Sequence, residues 1–386
     1  MCSLRRRWIA LVTVGLLVVT APALSAPDQP SPGATGRLES ATFLNRISAA
    51  EISRAIAAAG RKAPSITPRY DVANHRLTYR TLDGRGRPIT ASGLVSVPVK
   101  AAGARSPVMS YQHGTLFKDA QAPSNHAVAS EAAVVMASVG YIVVAADYVG
   151  YGASIGAPHP YLMSAPSAAA VLDLLTAAQA WRRGQDIADN GQLFLTGYSE
   201  GGYVTLAAHR AMQATNSPHL PHLVASVAGA GPYHLGVTMT EQLRRVRDKH
   251  PVVGALFHPG LLKLVGGSLR REARRLLIRH LVPRDADVRL QTSFVDHHFE
   301  GDHEAVERLS NVHDWKPEAP VSLFHGRDDR TVPHASAVRT LQAMQARGAT
   351  RVSLTSCSAT PSSHRNCVAP FWDFMLGQLA GLARDR

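Results

Sequence analysis

Leu193-Phe194-Leu195-Thr196-Gly197-Tyr198-Ser199-Glu200-Gly201-Gly202 is the most informative stretch of this chain. It begins as a short apolar run of the buried-strand type, passes through G-x-S-x-G and continues into a helix-compatible segment. A serine placed between such glycines sits on a turn so sharp that its Oγ stands clear of the backbone. A Cβ at Gly197 or Gly201 would collide with the neighbouring strand and helix. Amides at the start of the following helix would face any negative charge developing beside that serine. The five-residue pattern alone arises by chance; the strand before it and the helix after it give it meaning.

The same alternation runs along the chain. Apolar runs at Val108–Gln112, Tyr141–Ala146, Leu193–Thr196, Leu223–Ala228, Val321–Phe324 and Val352–Thr355 are separated by helical stretches. These stretches are Ala127–Val139, Pro166–Arg182, Gly201–Met212, His334–Arg347 and Val368–Leu382. In the second, Val171, Leu174, Leu175, Ala178 and Trp181 mark one face. Continuous apolar strands with intervening helices predict an α/β fold whose mostly parallel sheet is covered on both sides. Ahead of it, Tyr70–Leu82 and Ile89–Val97 alternate as paired antiparallel strands, with Asp83-Gly84 and Arg87-Pro88 at the turn. Leu38–Ala59 is predicted to be one helix stopped by Gly60.

Length and composition agree. The chain has 386 residues, 45% hydrophobic and 18% charged, enough apolar material for a large core and too little charge for a disordered or coiled-coil chain. Its 30 Gly and 24 Pro follow no short repeat, which excludes a collagenous reading. A net charge of +13 permits an anionic surface or membrane interface as partner. There is no zinc-finger spacing, Walker loop or RNP-like aromatic motif, so no nucleic acid is expected.

Arg5, Arg6 and Arg7 precede an apolar run from Trp8 to Val19, and Ala21-Pro22-Ala23 and Ala23-Leu24-Ser25 offer small-residue cleavage sites. Residues 1–25 therefore read as a signal peptide, too short for a comfortable membrane span, with a Pro/Gly/Ser-rich linker at 26–36. The expected location is periplasmic or secreted. Loss of the three arginines lowers the net charge to +10, and loss of Cys2 leaves Cys357 and Cys367. In an oxidising compartment that pair predicts a disulfide.

A serine hydroxyl needs a base to take its proton, and the base needs an orienting acid. These should follow in the order Ser, acid, His. Val321–Phe324 leads into His325-Gly326-Arg327-Asp328-Asp329-Arg330-Thr331-Val332-Pro333. Asp329, three residues before Val332-Pro333, is the expected acid, and Asp328 is the alternative. His364 is the one histidine after the last strand and is the expected base; Cys357 and Cys367 bracket it. The two oxyanion amides are expected from Glu200, next to the serine, and from Thr115 in Gln112-His113-Gly114-Thr115. His113 precedes the serine and reads as structural, as does Asp147.

Y-Q-H-G-T at 111–115, D-Y-V-G-Y-G-A-S at 147–154, G-Y-S-E-G-G at 197–202 and H-G-R-D-D-R-T-V-P at 325–333 together resemble the α/β-hydrolases. Within them the chain is similar to the exported secretory lipase/esterase branch. The resemblance implies Ser-His-Asp hydrolysis of a small-molecule or lipid ester with no cofactor. By position it carries the triad to Ser199, His364 and Asp329, and the oxyanion hole to the amides of Thr115 and Glu200. It also implies a helical lid, for which residues 232–315 are the candidate insertion between core segments 37–231 and 316–386. The insertion is lopsided, with a net +8 over 242–289 and −5 over 296–314. Leu269, Ala273, Leu276, Leu277 and Leu281 alternate with arginines as on an amphipathic cap helix. Asp296–Glu304 is rich in His and acid but lacks H-E-x-x-H, so no metal is expected there. Two other readings stand beside ester hydrolysis. One is a serine peptidase holding a substrate amine on Glu300 or Glu304; the other is a non-catalytic basic surface-binding module.

Overall fold

The computed structural model describes residues 35–249, 267, 271, 274, 275, 278 and 282–386. The signal-peptide reading, and the leucines of the basic stretch 269–281, lie outside them. The described strands are β1 (Leu38–Ile47), β2 (Val72–Leu82), β3 (Pro88–Pro98), β4 (Ser106–Gln112), β5 (Ile142–Ala146), β6 (Asp189–Tyr198), β7 (Leu223–Gly229), β8 (Val321–His325) and β9 (Val352–Ser356). They form one sheet in the order β1-β2-β3-β5-β4-β6-β7-β8-β9. From β5 onward all neighbours pair in parallel, while β1, β2 and β3 add an antiparallel end.

The helices are α1 (Ala49–Ala59), α2 (Ala132–Ala137), α3 (Ser164–Gly184), α4 (Glu200–Ala214), α5 (Leu235–Lys249), α6 (Ser293–Glu300), α7 (His303–Ser310), α8 (His334–Ala346) and α9 (Val368–Ala380). Strands β4 and β5 are buried along their whole length, as a sheet covered on both faces requires. Two apolar clusters fill the faces. One holds α3 and α4, with Val171, Leu174, Leu175, Ala178 and Trp181 all buried; the other holds α2 and α9 with Phe194, Phe324 and Phe371. This is the α/β-hydrolase architecture that the sequence predicts.

One sequence expectation fails. Residues 38–47 are a strand, and only 49–59 are helical. β1 is an edge strand whose register against β2 shifts between Leu38 and Ser40 and between Phe43 and Asn45. Such bulges break the two-residue period, so the apolar residues imitate helical spacing. The true helix start was legible: Ser48 and Glu51 form a capping box in which Ser48 accepts from the Glu51 amide and Glu51 accepts from the Ser48 amide. Ala127–Val139 is also shorter than expected, being helical only over α2.

The described elements between β7 and β8 are helices α5, α6 and α7 joined by loops, with α7 packed on α5, α6 and α3. His159, in the loop between β5 and α3, forms an isolated parallel bridge with Leu290. The core and the 232–315 segment are thereby joined backbone to backbone.

Candidate active site

Parallel β6 ends at Tyr198 and α4 begins at Glu200, which leaves Ser199 alone to turn the chain. Its φ of 61° lies in the left-handed region, a costly conformation for a serine that persists because its surroundings enforce it. Its amide donates to the Gly229 carbonyl at 2.8 Å. The flanking glycines are a steric necessity. A Cβ on Gly197 would stand 2.4 Å from the Gly201 carbonyl oxygen, and one on Gly201 would stand 2.0 Å from that of Gln112.

Three loops at the carboxyl ends of the strands bring the remaining groups together, where open α/β sheets place their sites. His364 Nε2 lies 2.9 Å from Ser199 Oγ, and His364 Nδ1 lies 2.6 Å from Asp329 Oδ2. Asp329 is 2% exposed. Its Oδ1 accepts the amides of Thr331 and Val332, and its Oδ2 also faces His325 Nε2 at 3.3 Å. Burial alone would raise the Asp329 carboxyl. The hydrogen bonds and positive charge of His325 and His364 outweigh it and hold the group well below the usual carboxylate range. Asp328 points elsewhere: its Oδ2 accepts both the amide and the hydroxyl of Ser362 at 2.9 Å. It ties the acid loop to the histidine loop and does not face His364.

The histidine loop is fastened at several points. The Cys357–Cys367 disulfide is present and spans it. Tyr198 Oη donates to the His364 carbonyl at 2.8 Å, with its ring 5.2 Å from the imidazole. Neither the Tyr198 tether nor the second histidine on Asp329 was anticipated from the sequence. Tyr198 sits inside G-x-S-x-G and His325 opens the acid loop, so adjacency to the motifs was the available signal.

Gly114 runs beside the nucleophile turn, its Cβ position 3.7 Å from Ser199 Cβ, and so carries the Thr115 segment to the serine. The Glu200 amide opens α4 and lacks an intrahelical acceptor. His113 is buried, its ring nitrogens facing the carbonyls of Gly114 and Asp147 and its ring stacked on Tyr148. Asp147 is fully buried and accepts from Ser92 Oγ, Ser124 Oγ and the Ser124 amide. Both occupy structural positions.

The Glu200 side chain was not foreseen as a contributor. It is buried and its Oε1 lies 2.6 Å from His159 Nε2. His159 Nδ1 lies 2.9 Å from the Val149 carbonyl, which can only accept, so Nδ1 carries a proton. Glu300 and Glu304, by contrast, are exposed, and Glu304 pairs with Arg308.

Residues 122–254 match the family model for secretory lipase. No curated protein matches the chain. Among solved structures, the rice cell wall degrading esterase LipA from Xanthomonas oryzae is 24% identical over 91% of this chain and 100% of its own, with a TM-score of 0.71. A protein of Legionella pneumophila is 24% identical over 89% of this chain and 98% of its own, with a TM-score of 0.71. Candida antarctica lipase A is 17% identical over 86% of this chain and 78% of its own, with a TM-score of 0.52. The match over 122–254 and the likeness of fold make the chain similar to the secretory lipases and to esterases of the α/β-hydrolase fold.

Proposed function

We propose that this chain is an exported serine hydrolase that cleaves carboxylic esters through an acyl-enzyme on Ser199. The observation that carries the reading is the continuous Ser199–His364–Asp329 chain, with contacts of 2.9 and 2.6 Å and a buried, ionised acid at its end. His364 Nε2 takes the Ser199 proton as Oγ adds to the ester carbonyl. The resulting oxyanion is assigned to the amides of Glu200 and Thr115. His364 then returns the proton to the departing alcohol as the C–O bond breaks. Water repeats the sequence on the acyl-enzyme, releasing the acid and restoring Ser199. Asp329 holds the imidazole in the required tautomer and balances its transient charge.

Export rests on the basic, then apolar, then small-residue N-terminus together with the secretory lipase match. Among the described residues no helix is long and apolar enough to cross a membrane. The substrate is a small-molecule or lipid ester. The test is turnover of p-nitrophenyl esters from acetate to palmitate, with Ser199→Ala beside the parent. Turnover should fall by at least about 10⁴-fold in the variant at unchanged Tm. A fluorophosphonate should label Ser199 and no other residue. A folded parent that hydrolyses no ester in the series overturns the proposal.

A further inference from the structure

A second cluster of chemically competent side chains lies at the base of the 232–315 segment. His234 follows β7, Glu307 lies on α7 and His313 lies just beyond it. One ligand atom from each falls within 4.8 Å of the other two. We propose that His234, Glu307 and His313 bind one divalent ion of the zinc type.

Four observations carry this. First, His313 is only 7% exposed, yet its Nε2 stands 3.8 Å from Glu307 Oε2. A direct charge-assisted contact would close to about 2.7–2.9 Å. Zinc bonds of about 2.0–2.2 Å in a tetrahedral site separate two ligand atoms by about 3.3 Å. The gap is therefore nearer to an ion-bridged pair than to a hydrogen bond. Second, the His234 and His313 rings are stacked, 4.1 Å apart and 12° from parallel. The stacking sets the two rings beside each other, with one nitrogen of each within 4.8 Å of the other.

Third, the backbones that carry the rings are pinned. The His234 amide donates to Ser336 Oγ and the His313 amide to Asn311 Oδ1. Fourth, His234 and Glu307 line a cavity of about 740 Å³ that also holds His298, His303 and His334, and reaches Asp329. Water or a further histidine can therefore reach the fourth position, which a two-histidine, one-carboxylate set leaves open. Two charged neighbours are engaged elsewhere: Arg210 donates to the Asn311 carbonyl, and Asp314 holds Arg347.

Two imidazoles favour zinc over calcium or magnesium, which prefer oxygen ligands. The ligands come from opposite ends of the insertion, one before α5 and two after the start of α7. An ion here would staple those ends together, a role separate from ester hydrolysis.

The test uses full-length Ser199→Ala protein stripped with EDTA and dialysed against zinc chloride. Binding is then independent of the catalytic reading. The expected result is one zinc per chain at micromolar free zinc and a Tm raised by several degrees. Glu307→Gln, close in size and shape, should weaken binding at least tenfold. His234→Gln should do the same, whereas His222→Gln, at the opposite end of β7, should not. Each variant's Tm in EDTA, compared with the parent's, checks that it is folded. No bound zinc overturns the proposal. So does binding that survives both Glu307→Gln and His234→Gln, since the ion would then sit elsewhere, as at His325, Asp329 and His364.

Discussion

At the scale of single residues, two adjacent aspartates have opposite duties. Asp329 faces His364, and Asp328 faces Ser362. Asp329→Asn should lower kcat by about 10⁴-fold, because the amide favours the wrong imidazole tautomer. Asp328→Asn should lower Tm while leaving kcat within about tenfold, since it loosens a loop tie without touching the base. Steady-state kinetics and thermal melts on both variants separate these roles, and equal losses of kcat would refute the assignment. Because Asp329 is held well below the usual carboxylate range, it stays ionised across the working pH range. Asp329 should therefore add no second proton to the acid limb of kcat/KM, which should rise with unit slope. A slope of two would mean that a second group titrates on that limb.

At the scale of elements, the site depends on contacts between loops that are far apart in sequence. The Cys357–Cys367 bridge closes a ring of about eleven residues around His364. Replacing both cysteines by serine should cost about 2–3 kcal/mol on the chain-entropy account. Activity should then be lost below the Tm of the whole fold, because the freed loop carries the base. Gly201→Ala is the corresponding probe of the turn between β6 and α4. The added Cβ would meet the Gln112 backbone oxygen at 2.0 Å, and backbone cannot swing aside as a side chain can. Both Tm and kcat should fall; retention of full activity would show that the turn has more freedom than its geometry indicates. The elements themselves were largely readable. Parallel strands buried on both faces leave continuous apolar runs. Strand β1 was not readable, because an exposed, bulged edge strand keeps no such pattern.

At the scale of the whole molecule, buried histidines link stability to pH. Burial pushes His209 down to about 3 and His219 down to about 4, the latter helped by the charge of His222 and Arg182. Their folded pKa values lie below the unfolded value of about 6.5. The stability tied to their neutral forms is therefore complete above about 6.5 and lost as pH falls toward 4, because the unfolded chain takes up protons that the native chain refuses. Carboxylates such as Asp329, depressed in the native state, add a second loss only below about 4. Tm measured from pH 7.5 to 4 should decline across this interval, and His209→Asn should flatten the decline. A constant Tm down to pH 4.5 would contradict it.

The chain's own order of residues was enough for the class of fold, and it nominated Ser199 and the Ser–acid–His succession on which the proposed function rests. These follow from local physics: a buried strand leaves an apolar run, and a strained turn requires glycine at fixed spacing. The choice between Asp328 and Asp329 leaned on spacing in the sequence and became geometric only when three loops met at the sheet edge. The Glu200–His159 pair and the grouping of His234, Glu307 and His313 left no local trace. Each joins side chains from separate elements, and such contacts exist only once the sheet order has brought those elements together.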